Sequence, residues 1–288
     1  MKLAFLGLGV MGFPMAGHLA NFGHDLVVYN RTPSKASRWK DNYIGNIAKT
    51  PKAASVGADI VIACVGNDED LREITVGETG AFHSMTAGSI FIDHTTVSAS
   101  ITKELYNLAK DKGIFYIDAP ISGGQVGAEN ATLSIMCGGD DVTFNTALPV
   151  MDVYSKICKL MGPTGSGQLT KMVNQICIAG LVQGLSEGLN FAKKANLDVK
   201  KVAEVISQGA AGSWQMNNRY ETMLENKYDF GFAVDWMRKD LKICLEEAKR
   251  NGAPLPVTSI VDQFYKDIQN HGGGRLDTSS LLKRLEGY

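Results

Sequence analysis

The run Gly7-Leu8-Gly9-Val10-Met11-Gly12 constrains this chain more than any other segment. It follows an apolar stretch, Lys2 to Leu6, that reads as a short buried strand, and it opens a helical segment, Met11 to Phe22. Pro14 sits in the first turn of that helix, where proline is tolerated. Each glycine has its own reason in this context. Gly7 permits the tight turn out of the strand, Gly9 lets the backbone approach a pyrophosphate, and Gly12 lets helix and strand pack closely. The helix N-terminus offers free N–H groups and a positive dipole end to phosphates. The loop as a whole, with Leu8, Val10 and Met11, is the expected cradle for a dinucleotide.

The same region has a competing interpretation. Leu3 to His24 carries no Asp, Glu, Lys or Arg and follows Lys2, which are ingredients of a signal peptide or a membrane span. Five glycines and Pro14 interrupt that run. A buried strand followed by a turn that meets an anion through backbone N–H groups accounts for the missing charges, so a membrane role is not expected.

The next strand, Leu26 to Tyr29, ends in Asn30-Arg31-Thr32. This lies roughly 20 residues beyond the glycines, where a carboxylate usually holds the adenosine ribose diol. Asn30 does not repel a 2′-phosphate, Arg31 can pair with one in a forked geometry, and Thr32 can add a hydroxyl donor. NADP(H) is therefore expected over NAD(H). Apolar runs recur at Asp59 to Val65, Ser89 to Asp93, Phe115 to Asp118, Thr132 to Cys137 and Lys156 to Leu160, with helical segments between them. Alternation of this kind predicts an α/β fold with a Rossmann-type, doubly wound, mostly parallel sheet. Val65, at the carboxyl end of its strand, and the His94-Thr95-Thr96 segment, at the end of the next, belong at its ligand edge.

Beyond Gly162-Pro163 the alternation stops. Long helical segments follow, roughly Gly167 to Asn196, Asp198 to Gln208, Phe232 to Asn251 and Pro256 to Asn270. Two domains are expected, 1–163 for the nucleotide and 164–288 all-helical. A length of 288 residues agrees with about 150 per domain. The long helix carries an uncharged stretch, Met172 to Ser186, too short for a span of about 20 residues. Gly180, Gly184 and Gly188 share one face of it and predict close packing against another helix or a subunit. With 29 basic and 30 acidic residues there is no surplus for nucleic acid. Five cysteines, Cys64, Cys137, Cys158, Cys177 and Cys244, have no CxxC spacing and fit reduced, buried thiols of a cytoplasmic protein. No His or Cys cluster suggests a metal site.

Three further segments carry chemical groups. In Asp118 to Ala128, Ser122, Gly123 and Gly124 offer a hydroxyl and exposed N–H groups suited to a carboxylate, or form a plain flexible turn. In Gly165 to Asn174, Lys171 and Asn174 share a helix face. A lysine there can polarise a carbonyl and supply a proton, or simply snorkel from the helix end. In Arg238-Lys239-Asp240-Leu241, Lys239 stands four residues from Asp235, a spacing common on solvated ion-paired faces.

Together these segments resemble the β-hydroxyacid dehydrogenase family along nearly the whole chain. Phe5 to Ala16 resembles its cofactor signature, Asp118 to Ala128 its substrate segment, Gly165 to Asn174 its catalytic segment, and Lys239-Asp240-Leu241 its C-terminal element. The resemblance implies that Lys171 is the catalytic lysine with Asn174 beside it, and that Thr96 contacts the nicotinamide side of the cofactor. It also implies that Lys239 closes over the site, with Phe232 and Asp240 nearby, and that the protein is a homodimer or homotetramer. Val173 stands where 6-phosphogluconate dehydrogenases carry histidine, and Lys171 is kept where imine reductases usually replace it. The implied activity is NADPH-dependent reduction of short aldehyde acids such as glyoxylate or succinic semialdehyde. The alternatives are a 3-hydroxyisobutyrate dehydrogenase or a tartronate-semialdehyde reductase. A non-catalytic nucleotide-binding module is the rival from another class, and the presence of Lys171 argues against it.

Overall fold

A computed structural model describes residues 1–287. The chain forms two compact units, the first Met1–Lys171 and the second from Met172 onward.

The first unit is built on nine strands: β1 (Lys2–Leu6), β2 (Asp25–Tyr29), β3 (Asn46–Ile47), β4 (Ile60–Ala63), β5 (Ile90–Asp93), β6 (Phe115–Asp118), β7 (Ile121–Ser122), β8 (Leu133–Gly138) and β9 (Ser155–Gly162). They form one sheet in the order β3-β2-β1-β4-β5-β6-β8-β7, with β9 also paired to β8. The run from β3 to β6 is parallel throughout. The pairs β6–β8 and β7–β8 are antiparallel, and β8–β9 is parallel. Strand order reverses between β1 and β4, the switch point where doubly wound sheets bind ligands.

Helices α1 (Gly12–Asn21), α2 (Pro33–Asn42), α3 (Pro51–Ala54), α4 (Asp68–Val76), α5 (Ala99–Lys110), α6 (Gly124–Glu129) and α7 (Asp141–Met151) cover the sheet. Every residue of β4 and β5 is buried, as strands covered on both faces require. Successive side chains split between two apolar cores. Leu3, Phe5, Ile60 and Ile62 join Trp39 and Tyr154 in one, while Ala4, Leu6, Val61 and Ala63 join Phe82 and Phe91 in the other. Helix starts are fixed locally by Asn67, Ser98 and Asp140, whose side chains accept N–H bonds from Asp70, Ile101 and Thr143.

Helix α8 (Ser166–Lys194) begins in the first unit and continues into the second, followed by α9 (Val199–Ile206), α10 (Trp214–Leu224), α11 (Val234–Asn251), α12 (Pro256–Asn270) and α13 (Leu281–Glu286). Ala179 and Val182 of α8 pack with Met237, Leu241, Val261 and Tyr265. Leu185 and Leu189 pack with Met216, Met223 and Tyr228. Within this chain the glycine stripe makes little contact with another helix. Gly184 and Gly188 have no neighbour within 4 Å of a built Cβ, and Gly180 meets only Val257 Cγ1 at 3.9 Å. The helix buries its Ala179–Val182–Leu185–Leu189 face, which leaves Gly184, Gly188, Val173 and Leu181 exposed on the opposite side.

Candidate active site

The carboxyl edge of β1, β2, β4 and β5 gathers the expected nucleotide residues. Gly7 has a φ of 105°, and its N–H donates to Tyr29 O at 2.9 Å. A Cβ on Gly7 would lie 2.3 Å from Cys64 O, and one on Gly12 would lie 2.0 Å from Gly7 O, so neither position accepts a side chain. A Cβ on Gly9 would meet nothing within 4 Å. The loop is thus crowded on its protein side and open where a phosphate would approach. Met11, before α1, places no side-chain cap on the helix N-terminus; the Phe13 N–H donates to Gly9 O at 3.0 Å, so an anion would meet the loop N–H groups ahead of Phe13. These features fit a dinucleotide. Val65 N–H donates to Thr95 Oγ1 at 3.1 Å, which ties the ends of β4 and β5, and Thr96 beside it is half-buried.

Asn30 has a second task. Its Oδ1 accepts the Leu8 N–H at 2.8 Å and its Nδ2 donates to Thr32 O at 3.0 Å, so it braces the glycine loop against the end of β2. Arg31 is 81% exposed and donates to Asp70 Oδ1 at 2.5 Å. An exposed pair of this kind is worth little, so the guanidinium is easily released to another anion.

Ser122, Gly123 and Gly124 form the turn from β7 into α6, with φ of 132° at Gly123 and 61° at Gly124. Helix α6 packs on α1. His18 Nε2–H donates to Ala128 O at 3.0 Å and Glu129 O at 3.1 Å.

Below this edge lie two carboxylates that sequence reasoning did not single out. Asp93 and Asp118 are fully buried and stand opposite each other in the β5–β6 register. Asp93 Oδ1 accepts the Thr95 N–H at 2.9 Å, and Oδ2 accepts the Tyr116 hydroxyl at 3.3 Å. Burial, with Asp118 nearby, pushes its carboxyl up to about 7. Asp118 accepts N–H bonds from Gly165 (2.7 Å) and Gln168 (3.0 Å). Burial pushes its carboxyl up to about 6, and these bonds oppose the shift. His94, next to Asp93, donates from Nδ1 to Ala119 O at 2.6 Å, and its Nε2 lies 2.9 Å from the Tyr154 hydroxyl. Burial lowers it to about 4, so it stays neutral and Tyr154 donates. Gln168 Nε2 donates to Thr95 O at 2.7 Å, and its Oε1 accepts the Val97 N–H at 3.2 Å. Lys171 follows one turn later and is 8% exposed, so it is buried and does not snorkel.

In the second unit, Asn174, Gln175, Asp240 and Lys239 form a chain. Asn174 Nδ2 donates to Gln175 Oε1 at 2.7 Å, Gln175 Nε2 donates to Asp240 Oδ2 at 2.6 Å, and Lys239 Nζ stands 3.0 Å from Asp240 Oδ1. A carboxylate only accepts, which fixes Gln175 as the donor to Asp240 and hence Asn174 as the donor to Gln175. The Oδ1 of Asn174 is thereby oriented away from Gln175. Gln175 is the member sequence reasoning missed; its place directly after Asn174 on a buried helix was the available signal. The expected Asp235–Lys239 spacing has a different outcome. Lys239 pairs with Asp240, and Asp235 Oδ1 accepts the Gln269 amide at 2.6 Å. Phe232 precedes α11, with its N–H bonded to Asp277 Oδ2 at 2.9 Å.

The five cysteines are free thiols, but only Cys137 and Cys244 are buried, and Cys177 is exposed. Among the described residues no group of three His, Cys, Asp or Glu could hold a metal ion, and no helix is long and apolar enough to cross a membrane.

Comparison with known proteins agrees with this layout. Residues 2–162 match the model for the NAD-binding domain of 6-phosphogluconate dehydrogenase, and residues 165–285 match the NAD-binding model of NADP-dependent 3-hydroxyisobutyrate dehydrogenase. An oxidoreductase of Shewanella frigidimarina, itself described as uncharacterized, is 61% identical over 99% of this chain and 98% of its own. The 2-hydroxy-3-oxopropionate reductase of Escherichia coli is 34% identical over 99% and 97%. A structure of Mycobacterium tuberculosis 3-hydroxyisobutyrate dehydrogenase with L-serine superposes with a TM-score of 0.87 at 28% identity, covering 99% of both chains. The chain belongs to the β-hydroxyacid dehydrogenase family, the nicotinamide-dependent oxidoreductases related to 3-hydroxyisobutyrate dehydrogenase.

Proposed function

We propose that this enzyme is an NADPH-dependent reductase of short aldehyde acids, of the glyoxylate and succinic semialdehyde type, and works in reverse as a β-hydroxyacid dehydrogenase. A bound reduced nicotinamide would supply the hydride. Lys171 Nζ gives the proton to the substrate carbonyl oxygen, and the Asn174 carboxamide orients the reacting groups. The Ser122 hydroxyl and the N–H groups of Gly123 and Gly124 hold the substrate carboxylate, with Phe232 and Asp240 bordering the substrate and Lys239 closing over it. Gly7 to Gly12, Asn30, Arg31, Thr32, Val65 and Thr96 hold the cofactor, and Arg31 favours the 2′-phosphate. Residues 1–163 serve the nucleotide and 164–288 the substrate and a homodimeric or homotetrameric assembly in the cytoplasm.

The observation that carries this reading is the burial of Lys171 on a helix whose first turn is tied to the ends of β5 and β6. Lys171→Met should lower turnover by roughly 10²- to 10⁴-fold, the usual contribution of a general acid, and keep its affinity for NADPH. Near-normal kcat in that variant sinks the assignment. Initial rates on glyoxylate, succinic, methylmalonate and tartronate semialdehydes with each cofactor identify the substrate. The Escherichia coli relative's activity makes tartronate semialdehyde, the same compound as 2-hydroxy-3-oxopropionate, the second reading.

A further inference from the structure

We propose that Asp118 is a positioning residue for Lys171: its buried carboxylate clamps the first turn of the helix that carries the lysine. The proposal rests on the reading of Lys171 as the general acid. Helix α8 begins at Ser166, so Gly165 is the residue before it and Gln168 its third. Those are the two backbone N–H groups that a local capping box would satisfy. Here a single carboxylate from the end of β6 satisfies both, at 2.7 and 3.0 Å. A negative charge at this helix end is also favoured by the helix dipole.

The carboxylate sits in a socket that two glycines keep open. A Cβ on Gly138 would lie 2.5 Å from Asp118 Oδ1, and one on Gly167 would lie 2.8 Å from Oδ2 and 2.4 Å from Met136 O. The helix start is therefore pressed against β6 and β8 by backbone contact. Gln168 adds a second tie through its bonds to Thr95 and Val97. From Gln168 to Lys171 is three residues of helix, so a turn held at Gln168 leaves the lysine Cα little freedom. The titratable groups that share the field of Asp118 are Asp93 on β5, Tyr116 on β6 and Cys137 on β8, while α8 presents backbone N–H donors. Protonation of Asp118 would therefore set a hydroxyl against donors and loosen the clamp.

Asparagine at 118 keeps the shape but supplies one acceptor for two N–H groups. Asp118→Asn should lower kcat on the order of 100-fold, as displacement of a catalytic group by about 1 Å does, with the KM for cofactor within about twofold of wild type. Amide hydrogen exchange in residues 165–171 should accelerate while the strands keep their protection. The wild-type kcat should fall as pH drops through about 6, and the variant should lack that limb. Gly167→Ala, which drives a Cβ into the same carboxylate, should give the same accelerated exchange and provides the test if Asp118→Asn does not fold. An Asp118→Asn enzyme with wild-type kcat and exchange overturns the proposal, and so does lost kcat with unchanged exchange at 165–171. If instead Lys171→Met retains turnover, the general-acid reading fails, whatever Asp118→Asn does.

Discussion

Asp93 is fully buried, and its carboxyl is pushed up to about 7 from an ordinary 3.8. An acid whose value is raised on folding binds its proton more tightly in the native state. Between pH 3.8 and about 7 the native chain holds more protons than the unfolded one, so stability falls as pH rises through that window and levels off above it. The full penalty is on the order of 4 kcal/mol at 1.36 kcal/mol per unit, and about 3 kcal/mol of it develops between pH 5 and pH 8.5. Asparagine removes the penalty and leaves one buried donor, the Tyr116 hydroxyl proton, to be satisfied elsewhere, at a cost of about 1–3 kcal/mol that does not change with pH. Its Oδ1 can accept the Thr95 N–H, and its Nδ2 can donate to the Tyr116 oxygen, reversing the present 3.3 Å bond. Asp93→Asn should therefore gain about 3 kcal/mol on wild type between pH 5 and pH 8.5 and be the more stable of the two at pH 8.5. Urea unfolding reads this in a Trp214→Phe/Trp236→Phe background, where buried Trp39 reports on the first unit alone. A stability gap equal at the two pH values, or a variant weaker than wild type at pH 8.5, refutes the reasoning.

Arg31→Ala should raise the KM for NADPH far more than for NADH. A charge-assisted bond contributes about 1.5–3 kcal/mol, roughly 10- to 150-fold, and leaving Asp70 costs the exposed guanidinium little; equal changes for both cofactors in initial-rate assays would remove the 2′-phosphate role. Gln175→Leu should lower kcat about tenfold, for the loss of about 1.4 kcal/mol of orientation, and leave cofactor affinity measured by fluorescence titration unchanged, because it removes the group that orients the Asn174 amide. Wild-type kcat in that variant means Asn174 needs no such support.

What was legible in the sequence is what local geometry decides. The glycine loop, the strand before it and the helix after it are contiguous, so three glycines and their spacing were sufficient, and β1 runs over the expected Lys2–Leu6. Asn30 was legible by type as the replacement for an acid, but its bond to Leu8 lies across 22 positions and has no local mark. Helices α10 and α13 were not anticipated. Helix α10 carries Asn217, Asn218 and Thr222, weak helix formers, and owes its place to burial of Met216 and Met223 in the core of the second unit.

The two buried aspartates show why the rest had to wait for the fold. Asp93 and Asp118 each end an apolar strand, lie opposite each other in register and are equally inaccessible to water. Their sequence contexts, Phe91-Ile92-Asp93 and Tyr116-Ile117-Asp118, are nearly the same. What separates them is the chemistry of their partners. One faces a hydroxyl that can turn from donor to acceptor, so an amide can replace it. The other is bonded by two backbone N–H groups that come from 47 and 50 positions away and cannot turn. The same substitution should therefore stabilise the protein at one position, above the titration of Asp93 near pH 7, and loosen the start of the helix that carries Lys171 at the other. Residue type alone cannot distinguish the two, whereas the donor and acceptor inventory of each socket does.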